Sequence, residues 1–316
     1  LLTEQGMTAS GLLDVNLEVS HTLGSPVFDG KMQLSKGRFQ YPEQGIDYRN
    51  IHINSTFNRQ RIHLQQARFS SGKGFLNFQG YADRSILNQS DSGMIRLEIE
   101  GKAFEAIHSR QAEAVVEPSI LIEGSLREPA LQGRLRVPQA VIYVDAFRQH
   151  QKRRSEDLNP PLLVEAMEDT LKSTIQIEDT TKRPAPLTGM DFYRNLQGTF
   201  DINIPGNTWV RGEDLNFEVQ GKLKAIKRGE QIDLFGDLNV RRGYFEVYGK
   251  KFDFERGQIT FTGGRQINPR VDFVIAYMFR DADRERQRLT LHVTGRSLQP
   301  DLAFRLNEQP VPEKEA

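Results

Sequence analysis

Six histidines, a Gly-Lys pair in "SSGKGF" (70–75) and the carboxylate-rich "FRDADRERQRL" (279–289) are the places where side-chain types could do chemistry. His52 and His63 flank an expected hairpin and fall on its polar face, where two imidazoles could share a metal. Zinc asks for a third protein ligand, and none stands near them. The Gly-Lys pair lacks both the spacing of a phosphate-binding loop and the helix that must follow one, so 70–75 reads as a turn. In 279–289 the charges alternate in sign between two expected strands, which makes the stretch a hairpin tip. Lys152, Arg153 and Arg154 form a basic cluster, but acidic residues follow at once and no aromatic stacking platform accompanies them, so no nucleic acid is expected. "NST" at 54 and "NQS" at 88 match glycosylation acceptors, triplets common by chance. The chain has no cysteine, which removes disulfides and thiolate metal sites. No nucleophile has a neighbouring base, so the chain is read as no enzyme and needing no cofactor or metal.

What the sequence does repeat is an alternation of apolar and polar residues. It runs through Met32 and Leu34, Ile51 and Ile53, Ile62 and Leu64, Ile95, Leu97 and Ile99, then Leu131, Leu135 and Val137. Beyond the middle come Phe200, Ile202 and Ile204, then Leu215, Phe217, Val219 and Leu223, then Leu234, Leu238 and Val240. Val271, Phe273, Ile275, Tyr277 and Phe279 continue it, with Leu289, Leu291 and Val293 after them. A period of two marks half-buried strands of an antiparallel sheet. At 37% hydrophobic and 27% charged residues in 316, the chain is poor in material for a thick closed core. Net charge is zero, so no overall field favours an anionic partner. No run approaches 18 apolar residues, so no membrane-spanning helix is expected within it.

"GYFEVYGKKFDFERGQITFTG" (243–263) is the densest example. A two-residue turn at Gly249-Lys250 is expected to set Val247 against Phe252 and Phe245 against Phe254. A second turn at Arg256-Gly257 would set Phe254 against Ile259 and Phe252 against Phe261. One face then becomes a ladder of Phe, Val and Ile, and the other carries Tyr244, Glu246, Tyr248 and Thr260 towards water. This register puts Glu246 opposite Asp253, a like-charge pair. "PVFDGKMQL" from Pro26 and "PALQGRLRV" from Pro129 share their spacing, and "PDLAFRL" from Pro300 follows it with Phe304 in the glycine's place. Such self-similarity points to an elongated sheet of repeated strand units. Residues 147–195 break the pattern with charge and proline, and one short helix is expected over 161–172. The expected division is therefore 1–146, an N-terminal sheet part; 147–195, a charged insertion; and 196–316, a C-terminal sheet part.

"NTWVRGEDLNFEVQGKL" (207–223), "LFGDLNVRRGYFEVYGKKFDFERGQITFTG" and "NPRVDFVIAY" (268–277) resemble the C-terminal region of the TamB family, the translocation and assembly module proteins of diderm bacteria. The resemblance rests on Trp209, Arg211, Gly212, Gly236, Gly243, Gly249, Phe252, Gly257, Ile259, Phe261, Gly263, Asn268 and Pro269; it is strong over 198–306 and weaker, at the level of the Pro and Gly repeat, over 11–145, and the insertion lies outside it. It implies an all-β, elongated, curled antiparallel sheet with an apolar concave face, an open groove. The implied function is a periplasm-spanning conduit of the AsmA-like, bridge-like lipid transfer class, carrying phospholipid to the outer membrane. The implied partners are phospholipid acyl chains and an Omp85-type, TamA-like outer-membrane barrel, with an inner-membrane anchor upstream. The groove-lining residues would be Leu215, Phe217, Val219, Leu223, Leu234, Leu238, Val240, Phe245, Val247, Phe252, Phe254, Ile259, Phe261, Val271, Phe273, Ile275, Leu289, Leu291 and Val293. Two alternatives stay open: a scaffold that holds client strands by β-augmentation during barrel assembly, and an ordinary sandwich whose apolar faces cover each other.

Overall fold

The structure is a computed structural model and describes residues 2–4, 6–22, 25–83, 93–125, 128–144, 194–247, 249–264 and 266–311. The insertion expected at 147–195, its helix at 161–172 and its basic cluster fall almost wholly outside the described residues, as do "NQS" at 88 and Tyr248. Alternating sequence becomes strand throughout: β1 (Leu2–Glu4), β2 (Met7–Thr22), β3 (Ser25–Tyr41), β4 (Ile46–Phe57), β5 (Arg61–Asp83), β6 (Met94–His108), β7 (Ala112–Ser125) and β8 (Pro129–Tyr143). There follow β9 (Gln197–Arg211), β10 (Leu215–Arg228), β11 (Gln231–Val247), β12 (Lys250–Thr262), β13 (Arg270–Arg280), β14 (Arg286–Arg296), β15 (Gln299–Leu306) and β16 (Gln309–Pro310). Each strand hydrogen-bonds to its neighbours in the chain, in order, and the first and last are not partners. The expected all-β, unclosed sheet is what forms.

The described residues group into two compact units. One lies within Leu1–Gln139, Ala185–Asn203 and Lys224–Ile232, the other within Ala140–Pro184, Ile204–Leu223 and Asp233–Ala316.

In the first unit the register aligns apolar residues in rows: Leu13 opposite Leu34, Leu34 opposite Ile53, Ile53 opposite Ala67. Val15 opposes Met32 in the same way. β5 reverses within its own length, because Arg61 Nε reaches Asp83 Oδ1 at 3.0 Å and the Phe69 and Phe78 rings lie 5.1 Å apart. A straight strand rises about 3.3 Å per residue and would hold those ends far apart. The reversal falls where "SSGKGF" reads as a turn, at Gly72, whose φ of +57° suits glycine. The 279–289 stretch likewise forms the tip between β13 and β14.

In the second unit two expected turns need correction. β11 and β12 pair Phe245 with Phe252 and Val247 with Lys250, a shift of two residues from the expected register. A shift of two keeps every side chain on its face but changes its partner. Glu246 now meets Lys251, with Nζ to Oε2 at 3.9 Å, in place of the like-charged Asp253. The turn expected at Arg256-Gly257 does not form, and β12 runs through it. Gly257 is extended there, since a Cβ would lie 2.7 Å from the Val240 Cβ and 3.1 Å from the Phe273 ring. Close packing requires that glycine, not reversal. A β-bulge between Phe254 and Arg256 against β13 supplies one extra residue, which shifts the alternation by one. Phe254 opposes Ile275 on one side of the bulge and Ile259 opposes Val271 on the other, so both stay on one face.

Candidate functional site

The apolar face of the second unit is assembled strand by strand from opposed residues. Ile275 opposes Leu291, and Leu291 opposes Phe304; Phe273 opposes Val293, and Val293 opposes Leu302. Leu238 opposes Ile259, and Gly236 opposes Phe261. Of the residues expected to line a groove, Leu215, Phe217, Val219, Leu223, Leu238, Phe245, Phe252, Val271, Phe273, Ile275, Leu291 and Val293 are buried. Leu234, Val240, Phe254, Ile259, Phe261 and Leu289 are half-buried. Val247 holds its place in β11, and its side chain lies outside the described residues. Phe245, Ile275, Leu291 and Val293 are 0% exposed. Reasoning from the sequence left Tyr277 and Phe304 out of this set. Tyr277 alternates with Ile275, and its ring lies tilted at 5.0 Å from Phe252. Phe304 stands at the glycine position of the Pro300 repeat and is 6% exposed.

Aromatic rings close the face. Phe217 on β10 lies 5.2 Å from Phe254 on β12 and 6.4 Å from Phe273 on β13, and Phe254 meets Phe273 edge-on at 5.6 Å. β11 contributes Gly243 to the gap between β10 and β12. A Cβ there would sit 2.4 Å from the Phe217 Cβ.

The opposite face is polar, and several of its charges are paired. Thr260 Oγ1 donates to Asp237 Oδ1 at 2.6 Å, and Arg256 reaches Asp272 at 3.1 Å. Glu218 projects to this side, between Phe217 and Val219, yet is only 2% exposed. It accepts hydrogen bonds from the Asn207 backbone N–H at 2.7 Å, Arg242 Nε at 2.7 Å and Arg241 at 3.2 Å. Burial works to raise its pKa, but Asn207 and the two guanidiniums outweigh it and hold the carboxyl below its ordinary value. Arg242 and Arg211 lie over the Trp209 ring at 5.3 and 5.6 Å. Alternation places Glu218 on the polar side, but no signal in the sequence marks it as buried.

In the first unit, Asp47 accepts from Arg49 and from Arg38, the latter at 3.1 Å, and its pKa falls to about 2, chiefly through the Arg49 hydrogen bond. Nearby residues Gln40, Arg49, Ser71, Glu105 and His108 line a shallow hollow of about 320 Å³. His52 opposes Arg68 and His63 opposes Thr56, so the two imidazoles do not face each other. Among the described residues no three potential ligands gather around a metal position, and no helix is long and apolar enough to cross a membrane.

Comparison with known proteins agrees with this architecture. The family model described as "TamB C-terminal domain" matches residues 63–316, which takes in the strong resemblance over 198–306, part of the weaker one over 11–145, and the insertion at 147–195 that the resemblance left out. The chain is also 21% identical over 262 residues to "Translocation and assembly module subunit TamB" of Haemophilus influenzae, covering 83% of this chain. It spans 19% of that relative's length. With the family model matching most of its residues, the chain belongs to the TamB family.

Proposed function

We propose that this part of the protein carries phospholipid acyl chains along its apolar face, in the bacterial envelope, as part of outer-membrane biogenesis. The observation that carries the reading is the apolar row repeated from strand to strand in both units, with paired charges on the reverse. Acyl chains gain about 0.8 kcal/mol per methylene moved from water to such a surface. In the first unit part of that surface is accessible, with Leu13 62% and Val19 61% exposed. The relative's name, a subunit of a translocation and assembly module, supports a partner, for which we propose a TamA-like outer-membrane barrel. Nothing in the arrangement requires catalysis, and a transport or assembly component fits it better than an enzyme.

A second reading is a scaffold for client strands, and the relative's name, a subunit of a translocation and assembly module, favours it. An open edge takes a client strand by β-augmentation. In-cell photo-crosslinking separates the two readings, with probes at Leu13 and Phe261 compared against Asp14 and Thr260. Phospholipid adducts at Leu13 and Phe261 alone are expected. Equal lipid labelling on both faces, or protein adducts without lipid, would overturn the conduit.

A further inference from the structure

We propose that Phe217, Phe254 and Phe273 form an aromatic closure over the apolar face of the second unit, which an acyl chain must part in order to enter. This rests on the conduit reading and adds a gate to it. Neighbouring strands lie about 4.8 Å apart, so β10 and β13, three strands apart, would be separated by roughly 14 Å in a flat sheet. Their rings nevertheless meet at 6.4 Å, with Phe254 touching both. Two features make that contact possible. Gly243 leaves no side chain between Phe217 and Phe254, and Gly257 leaves none beneath Phe273. Around the rings the face is shut, with Phe245, Ile275, Leu291 and Val293 at 0% exposure and Phe252 at 1%. A chain of methylenes cannot touch these residues in this arrangement. The rings are the natural point of parting, because Phe254 is half-buried whereas its opposed neighbour Ile275 is fully covered. Each aromatic pair is worth about 0.5–1.5 kcal/mol beyond its buried area, so the three contacts set how readily the rings part.

The closure predicts that loosening the rings speeds lipid entry while enlarging them slows it. The experiment follows transfer of a pyrene-labelled phosphatidylethanolamine from vesicles of phosphatidylethanolamine and phosphatidylglycerol to the full chain. It compares wild type with Phe217→Leu, Phe217→Ala and Phe217→Trp, and thermal unfolding is recorded for each. Phe217→Leu keeps an apolar side chain while removing two ring contacts, and its uptake should be roughly tenfold faster than wild type, as expected for the loss of two aromatic pairs. Phe217→Ala should be at least as fast if folded, and Phe217→Trp slower. Folded Phe217→Leu with uptake equal to or below wild type would overturn the closure while leaving the conduit standing. Wild type and every variant taking up no lipid would overturn the conduit and the closure together. If Phe217→Leu proves unfolded, Phe273→Leu replaces it in the same comparison under the same criterion.

Discussion

β2 in the first unit and β13–β14 in the second carry the same pattern, alternate apolar residues on long strands, and bury it to opposite degrees. Leu13 and Val19 are more than half exposed, whereas Ile275, Leu291 and Val293 are fully covered. Hydrophobicity along the strand does not account for this difference. Neighbours do: β13 and β14 are paired along both edges and rings from β10 and β12 lie against Phe273 on β13, while among the described residues β2 pairs along its length with β3 alone and with β1 at Met7, Thr8 and Ala9. Burial in such a sheet belongs to a row of strands and not to any strand alone.

The comparison is broken most directly by truncating one residue from each side. Phe245→Ala should lower the stability of the second unit by about 3–5 kcal/mol, since it empties a fully covered position, while Leu13→Ala should change stability by about half a kcal/mol or less. Denaturant unfolding monitored for both would refute the contrast if the losses were comparable. Next in size is Glu218→Gln, which weakens a buried carboxylate's bonds to Asn207, Arg241 and Arg242 at a cost of about 2 kcal/mol. A change indistinguishable from zero would mean that the charge is not held as the geometry indicates.

Acid sharpens the comparison further, because both units hold depressed carboxyls, Asp47 and Glu98 in the first and Glu218 in the second. A group whose folded pKa lies below its unfolded value favours folding at neutral pH, and that contribution is lost as pH falls through the folded value. For Asp47 the window runs from the ordinary 3.8 down to about 2. Asp47→Asn should therefore flatten the acid limb of the first unit's stability in that range, and Glu218→Gln should flatten that of the second below the ordinary carboxylate range. Identical acid profiles for wild type and both variants would contradict the assignment. Smallest of all is Lys251→Ala, which removes a 3.9 Å surface pair with Glu246 and should cost no more than about 0.5 kcal/mol. A disulfide formed readily between cysteines at 246 and 253, and not between those at 246 and 251, would restore the register expected from the sequence.

Strand identity and facing were legible because both follow from a period of two, and the glycine-rich 70–75 and the charged 279–289 announced their reversals. Partners were less legible. The Gly249-Lys250 reading put the register two residues out, since a hairpin can slide by two without moving a side chain across the sheet. Arg256-Gly257 looked like a second turn because glycine serves both reversal and close approach, and only the positions of Val240 and Phe273 decide between them. The apolar ladder came out on one face either way, as a bulge and a two-residue turn alter the alternation alike. What no alternation could reveal was how fully that ladder is buried, or that rings from β10, β12 and β13 meet on it.

Strands that bond only to their neighbours in the chain also have a kinetic meaning. Sheets are slow to fold when distant segments must find each other, because loop closure is unfavourable until the pairing is made. Here nearly every new strand needs only the one before it, so the sheet can grow vectorially as polypeptide arrives. The single exception is the join from Tyr143 to Gln197, where β9 must find β8 across the longest connection in the chain. Folding is expected to pause there, with β8 presenting an open edge until its partner arrives.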